Sequence, residues 1–120
     1  MIIDLPWPPT TGNHSTKLGK NGFYTIGSIK AYREQVGWLL KAAHLDRNLP
    51  GPLIVEWFAN PPDRRAVDDD NVMKVVKDAC TKAGLWVDDS NKVIRRTVFD
   101  WGDPIKGGRI KITVSTMETL

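Results

Sequence analysis

Residues 68–84 have the sequence DDDNVMKVVKDACTKAG and give the clearest structural signal in the chain. Apolar residues recur there at intervals of three and four, the spacing that places side chains on one face of an α-helix. They are Val72, Val75, Val76, Ala79, Cys80 and Ala83. Gly84 stands where a helix C-terminal cap is expected. The stretch therefore predicts an amphipathic helix over residues 71–83 that begins at a run of acidic residues.

The segments on either side of this helix predict strands and one further helix. Ser28 could cap an earlier helix, in which the apolar residues again share one face: Ile29, Tyr32, Val36, Leu39, Leu40 and Ala43. Residues 19–22 carry the Asn-Gly turn signal of a hairpin that ends near Ile26. Strands are predicted at residues 1–5, 53–58, 93–99 and 109–115. This order indicates an α+β fold with a mixed sheet on which two helices pack.

Length and composition predict a small single domain that spans residues 1–120. No apolar run approaches the ~20 residues that a membrane helix needs, and the first residues lack the pattern of a signal peptide. The single cysteine, Cys80, excludes an internal disulfide and a zinc site made of several cysteines. We therefore expect a cytoplasmic protein with no membrane association.

The charged residues are unevenly distributed, although the net charge is only +3. Five acids fall in two tight clusters, Asp68 to Asp70 and Asp88-Asp89, and most basic residues lie elsewhere in the sequence. A divalent cation bound by the acids would leave a distinctly basic surface. This pattern suits a polyanion that is held near a metal ion.

The aspartates at residues 68–70 allow two interpretations. Acids favour helix N-termini, so they could simply cap the helix. One cap, however, does not need three carboxylates. The predicted helix is about 20 Å long, and the six residues after it span at most ~20 Å when extended. They can therefore bring Asp89 back beside the helix start. Carboxylates that converge at ~5 Å repel by about 3 kcal/mol per pair, which favours a bound cation. Oxygen ligands without cysteine or paired histidines predict Mg²⁺, for which Mn²⁺ substitutes.

The basic residues near these acids also allow two interpretations each. Lys74 follows Asp70 by four residues and could form an ordinary surface pair with it. It could instead neutralise developing phosphate charge or protonate a leaving oxygen. Arg64 and Arg65 could bind phosphates in a bidentate manner, or they could belong to a solvated loop.

These residues occur in an order that resembles the RusA family of Holliday-junction resolvases, which are found in bacteria, prophages and phages. The resemblance runs nearly end to end and is specific in the order and spacing of its motifs. The motifs are Leu5-Pro6-Trp7-Pro8-Pro9, Ala31-Tyr32-Arg33, Pro62-Asp63-Arg64-Arg65, Asp68-Asp69-Asp70-Asn71, Lys74 with the later Thr81-Lys82-Ala83-Gly84-Leu85-Trp86-Val87-Asp88-Asp89, and Lys106-Gly107-Gly108-Arg109.

The resemblance implies a homodimer that nicks two symmetry-related strands of a four-way DNA junction, with no small-molecule cofactor. It implies that Asp68, Asp70 and Asp89 are the essential carboxylates and that Lys74 is the essential lysine. We expect Asp88 to act as a supporting metal ligand, whereas Asp69 occupies the variable position between the two motif aspartates.

The residues that we expect to contact DNA are Arg64, Arg65, Lys74, Lys17, Lys20 and Asn13. Two of these regions depart from the family pattern: Ala66-Val67 interrupts the arginine run, and Asn13 lies four residues beyond Pro9 rather than three. Two other functions stay open. One is a non-catalytic basic DNA-binding protein with helix-capping aspartates, and the other is a metal nuclease that acts on flaps or RNA.

Overall fold

The computed structural model describes residues 1–9, 16–19, 22–25 and 27–117, with the backbone alone for 16–19 and 22–25. The elements in these ranges are β1 (Ile2–Leu5), β2 (Thr16–Gly19), β3 (Gly22–Thr25), α1 (Gly27–Ala42), β4 (Leu53–Asn60), α2 (Asp69–Lys82), β5 (Ile94–Trp101) and β6 (Arg109–Thr116). The predicted order of elements is confirmed, and with it the α+β class. Neither described helix is long and apolar enough to span a membrane.

The chain divides into two compact units. The first, called the sheet unit below, comprises the described residues of Met1–Trp7, Asn48–Ala66 and Trp86–Leu120. The second, called the helical unit, comprises the described residues of Pro8–Arg47 and Val67–Leu85. The acidic start of α2 therefore belongs to the helical unit, and the second acidic cluster belongs to the sheet unit.

The sheet unit contains four strands in the order β1-β6-β4-β5. Strand β4 pairs antiparallel with β6 and parallel with β5, so the predicted mixed sheet is confirmed. Alternate residues of β4 are buried, as the two-residue period of a strand requires when one sheet face lies in the core. The buried residues are Leu53, Val55, Trp57 and Ala59. Ile110, Ile112 and Val114 continue the same apolar face on β6.

The helical unit contains the hairpin β2–β3, whose strands pair antiparallel as predicted, and the helices α1 and α2. Helix α1 begins at Gly27, so Ser28 lies in its first turn and not before it. Leu39, which was predicted on the buried face, is 42% exposed. Ala43, predicted on the same face, lies beyond the helix end at Ala42 and is exposed. The buried face of α1 therefore consists of Ile29, Tyr32, Val36 and Leu40.

Helix α2 spans Asp69–Lys82, so it begins two residues earlier and ends one residue earlier than predicted. It buries the expected apolar residues except Ala83, which is the half-buried C-cap residue, and it buries Met73 in addition. Its C-terminal end is a Schellman motif, in which Gly84 has a φ of 83°. The Gly84 amide donates to the Thr81 carbonyl at 3.1 Å, and the Leu85 amide donates to the Cys80 carbonyl at 3.1 Å. The predicted role of Gly84 at the helix end is therefore confirmed.

We expect Gly84→Ala to lower the free energy of unfolding by about 1–2 kcal/mol, because a Cβ atom is disfavoured at this positive φ. Urea titration measures the change. Gly37→Ala is a matched control: Gly37 lies inside α1, and a Cβ built there has no neighbouring atom within 4 Å. It should stabilise the protein by about 0.5–1 kcal/mol. Equal stability of Gly84→Ala and the unsubstituted protein would contradict the role assigned to Gly84.

Candidate active site

The three aspartates at the start of α2 are all exposed but differ in their local contacts. Asp68 is the N-cap residue, with an extended backbone (φ −80°, ψ 134°), and its carbonyl accepts the Val72 amide at 3.3 Å. The Asp68 side chain makes no capping hydrogen bond within the described chain. Asp69 Oδ1 instead accepts the Asp70 amide at 2.8 Å. Asp69 thus serves the helix start, and the Asp68 carboxylate is left for another role.

Lys74 is exposed and lies one helical turn after Asp70. The ion pairs found among the described residues are Arg33–Asp78, Arg65–Asp63 and Arg109–Asp4. Lys74 takes part in none of them, so the surface pair with Asp70 that the spacing allows is not formed. The Lys74 ammonium group is therefore accessible to a ligand on the same side of α2 as Asp70.

Asp88 and Asp89 lie in the sheet unit, in a short segment that is fixed at both ends. On one side, Trp86 is 1% exposed and forms an isolated parallel β-bridge with Leu49. The amide of the next residue, Val87, donates a hydrogen bond to the Leu49 carbonyl at 3.0 Å. On the other side, the Ser90 carbonyl accepts the Ile94 amide at 2.9 Å. The backbone on both sides therefore holds the two aspartates in place, with Asp88 exposed and Asp89 half-buried.

The Asp88 carboxylate has a hydrogen-bond partner within its own segment. The Ser90 hydroxyl donates to the Asp88 carboxylate, and this hydrogen bond lowers the pKa of Asp88 below its usual value. Sequence reasoning did not identify Ser90. The only available signal was its position two residues after an aspartate, a spacing at which short polar side chains often form local hydrogen bonds.

Arg64 and Arg65 are both exposed, but one of them is already engaged. The Arg65 guanidinium binds the Asp63 carboxylate through Nη2 at 2.9 Å and Nε at 3.1 Å to Oδ2. The hydrogen bonds from Arg65 lower the pKa of Asp63. Asp63 thus fixes the orientation of the Arg65 side chain, a contact that the sequence did not reveal.

The remaining predicted DNA contacts have no described side chains. Asn13 and Lys20 lie outside the described residues, and Lys17 lies in β2, where the backbone alone is described. Their contacts with DNA stay predictions.

The helical unit brings together Asp68, Asp70 and Lys74, and the sheet unit holds Asp88 and Asp89. Within each unit, the described residues include no group of three or more histidine, cysteine, aspartate or glutamate side chains placed to hold a metal ion. The donors available are carboxylate oxygens, the ligands that suit Mg²⁺ and Mn²⁺. The chemistry of the donor set therefore fits the predicted metal, and the membership of the site stays a prediction.

Comparison with known proteins extends the similarity beyond these motifs. Residues 6–115 match a family model described as Endodeoxyribonuclease RusA. A crossover junction endodeoxyribonuclease RusA of Escherichia coli strain K12 is 38% identical over 116 residues, which cover 96% of this chain and 93% of that protein. Proteins of the same name from Shigella sonnei strain Ss046 and Enterobacteria phage 82 are 38% and 37% identical with the same coverage.

Proposed function

The chain belongs to the endodeoxyribonuclease RusA family, and on this premise we propose that it resolves four-way DNA junctions by metal-dependent symmetric nicking. It is an endodeoxyribonuclease, a hydrolase that acts on the phosphodiester bonds of DNA. Its relatives are named crossover junction endodeoxyribonucleases, and one of them is a phage protein. The family match is continuous, and we propose that residues 1–120 act as one endonuclease domain in the cytoplasm.

The main structural support is the state of Asp68. An aspartate that merely caps a helix accepts a hydrogen bond from a first-turn amide. Asp68 stands at the N-cap position without such a bond, and Asp69 satisfies the Asp70 amide instead. A non-catalytic protein whose aspartates only cap α2 accounts poorly for this arrangement. An exposed carboxylate kept free at the N-cap is what a metal ligand requires.

We propose that Asp68, Asp70 and Asp89 hold Mg²⁺, with Asp88 in support and Mn²⁺ as an effective substitute. When bound, the ion supplies water activation and stabilisation of the charge on the pentacovalent phosphate. The exposed ammonium group of Lys74 opposes the negative charge that develops on the phosphate, or donates a proton to the leaving oxygen. The bond between Ser90 and Asp88 restrains the Asp88 carboxylate and suits it to the supporting role.

The exposed arginines are suited to hold the DNA backbone. Arg64 offers an exposed guanidinium to a phosphate, and Arg65 can exchange the Asp63 carboxylate for one in the same bidentate geometry. Lys17, Lys20 and Asn13 are proposed as further contacts. Because these contacts are with phosphates, binding should weaken steeply as salt rises.

A four-way junction has two-fold symmetry, and two nicks at symmetry-related phosphates need two active sites. We propose that a homodimer supplies them, because a two-fold symmetric dimer presents two identical sites in opposite orientations.

The function is tested with a panel of substrates: a synthetic four-way junction, a flap, a linear duplex and an RNA of the same sequence. We expect cleavage of the four-way junction at two symmetry-related phosphates in Mg²⁺ or Mn²⁺ and no cleavage in EDTA. Preferred cleavage of the flap or the RNA would contradict junction resolution. Binding without cleavage in any metal would favour the non-catalytic DNA-binding protein.

A further inference from the structure

Strand β5 forms one edge of the sheet and pairs, among the described strands, with β4 alone. Its exposed residues are Arg95, Arg96, Thr97, Asp100 and Trp101, and Val98 and Phe99 are half-buried. The pairing with β4 is regular from Arg96 onward, after a register shift that leaves Arg95 as an extra residue. An edge of this kind presents a row of backbone donors and acceptors to another strand.

The side chains of β5 alternate between the two faces of the sheet. Thr97, Phe99 and Trp101 pair with the buried residues of β4, and the Trp57 and Phe99 rings stack at 6.4 Å. Arg96, Val98 and Asp100 therefore lie on the opposite, exposed face.

Two-fold symmetry restricts how such a strand can pair with its own copy. In an antiparallel pair, residues directly opposite each other lie on the same face of the sheet. A two-fold axis must therefore pass midway between two copies of the same residue, one on each strand. The choice of this central residue fixes every other residue pair. The possible registers can be compared by the charges that they bring together.

Only the register centred on Val98 pairs every charged residue of the regular segment with its opposite. It places Arg96 of each copy opposite Asp100 of the other, on the same face as Val98. A centre at Arg96 or Asp100 puts like charges face to face, which is unfavourable. A centre at Thr97 or Phe99 leaves Val98 opposite Arg96 or Asp100.

We infer that the β5 edge is the dimer surface, where a second copy of the chain pairs antiparallel with the register centred on Val98. Charged residues usually protect a sheet edge from pairing. Here Arg96 and Asp100 lie at equal distances from Val98, so the register centred on Val98 forms two pairs of opposite charges, and the registers centred on Arg96 or Asp100 bring like charges together. The inference rests on the homodimer of the proposed function and adds to it the surface and the register.

A cysteine pair tests the register directly. Two copies of residue 98 would have Cα atoms roughly 4.5–5.5 Å apart, within the range that a disulfide spans. We expect Val98→Cys to form a covalent dimer under a mild oxidant, seen on a non-reducing gel. Thr97→Cys is the matched control, because its Cα atoms would lie roughly 8 Å apart, too far for a disulfide. Cys80 does not compete, since its side chain is fully buried and burial raises its pKa to about 12.

The second test exchanges the charges at residues 96 and 100 and measures the dimer dissociation constant by sedimentation equilibrium. Arg96→Asp or Asp100→Arg should weaken the dimer by roughly tenfold, since each places like charges opposite each other twice, and the double variant should restore it. A monomeric Val98→Cys protein, or single charge variants that dimerise normally, would overturn the inference. If the unsubstituted protein is still a dimer that cleaves junctions, the proposed function stands. An unsubstituted protein that is monomeric while cleaving would overturn both the dimer and its surface.

Discussion

Asp70→Asn is expected to reduce the rate of four-way junction cleavage in Mg²⁺ by roughly 10³-fold or more while junction binding stays intact or becomes tighter. The substitution removes the negative charge of a proposed metal ligand and replaces one of its carboxylate oxygens with an NH₂ group. Loss of a negative charge beside the DNA backbone also removes repulsion, so the Kd should not rise. Single-turnover cleavage gives the rate, and a gel-shift titration in Ca²⁺ gives the Kd.

Asp69→Asn is the matched control for this experiment. Asp69 Oδ1 accepts the Asp70 amide, and asparagine keeps an oxygen acceptor at the same position. The start of α2 should therefore be preserved, and the cleavage rate should stay close to that of the unsubstituted protein. If both variants lose activity equally, charge at the helix start matters and the distinction between the two residues is wrong. Normal cleavage by Asp70→Asn would remove Asp70 from the metal site.

The parts of the fold that could be predicted are those in which one local pattern decides the structure. The apolar period of α2 and the glycine at position 84 fix where the helix runs and how it ends. The alternation of residues 109–115 likewise predicted β6 to within one residue. In both cases the pattern arises because one face of the element is buried. This pattern is contained in the sequence of the segment itself.

Other features depend on which segments meet, and the sequence does not record this. The parallel pairing of β4 with β5 joins strands that are separated by α2, and no local pattern selects it over other neighbours. Leu39 fits the apolar period of α1, yet it is exposed because burial also depends on what packs against a helix.

The same limit applies to the candidate site. The run of aspartates marked the start of α2, but the division of roles between Asp68 and Asp69 depends on side-chain hydrogen bonds. The bonds from Ser90 to Asp88 and from Arg65 to Asp63 are likewise consequences of local conformation. Residue type identified the chemistry that is available, and conformation decides which carboxylates are free to perform it.

The second acidic cluster gives the other large expected effect. We expect Asp89→Asn to reduce junction cleavage as severely as Asp70→Asn, by roughly 10³-fold or more, because it removes the third proposed metal ligand. Asp88→Asn should reduce the cleavage rate by only about 10–100-fold, the range typical of a residue that supports metal ligands. The Ser90 hydroxyl already binds the Asp88 carboxylate, and asparagine can still accept that hydrogen bond.

A measurement of Mn²⁺ binding shows whether a variant cleaves slowly because it has lost the metal ion or because a later step of the reaction is impaired. Electron paramagnetic resonance of free Mn²⁺ should show weaker binding to Asp89→Asn than to Asp88→Asn, in the same order as the cleavage rates. Both variants should keep the urea midpoint of the unsubstituted protein, since Asp88 is exposed and Asp89 is half-buried. Equal rates for the two variants, or Mn²⁺ binding that Asp89→Asn leaves unchanged, would exclude Asp89 as a ligand. The carboxylates at the start of α2 would then need a third partner other than Asp89.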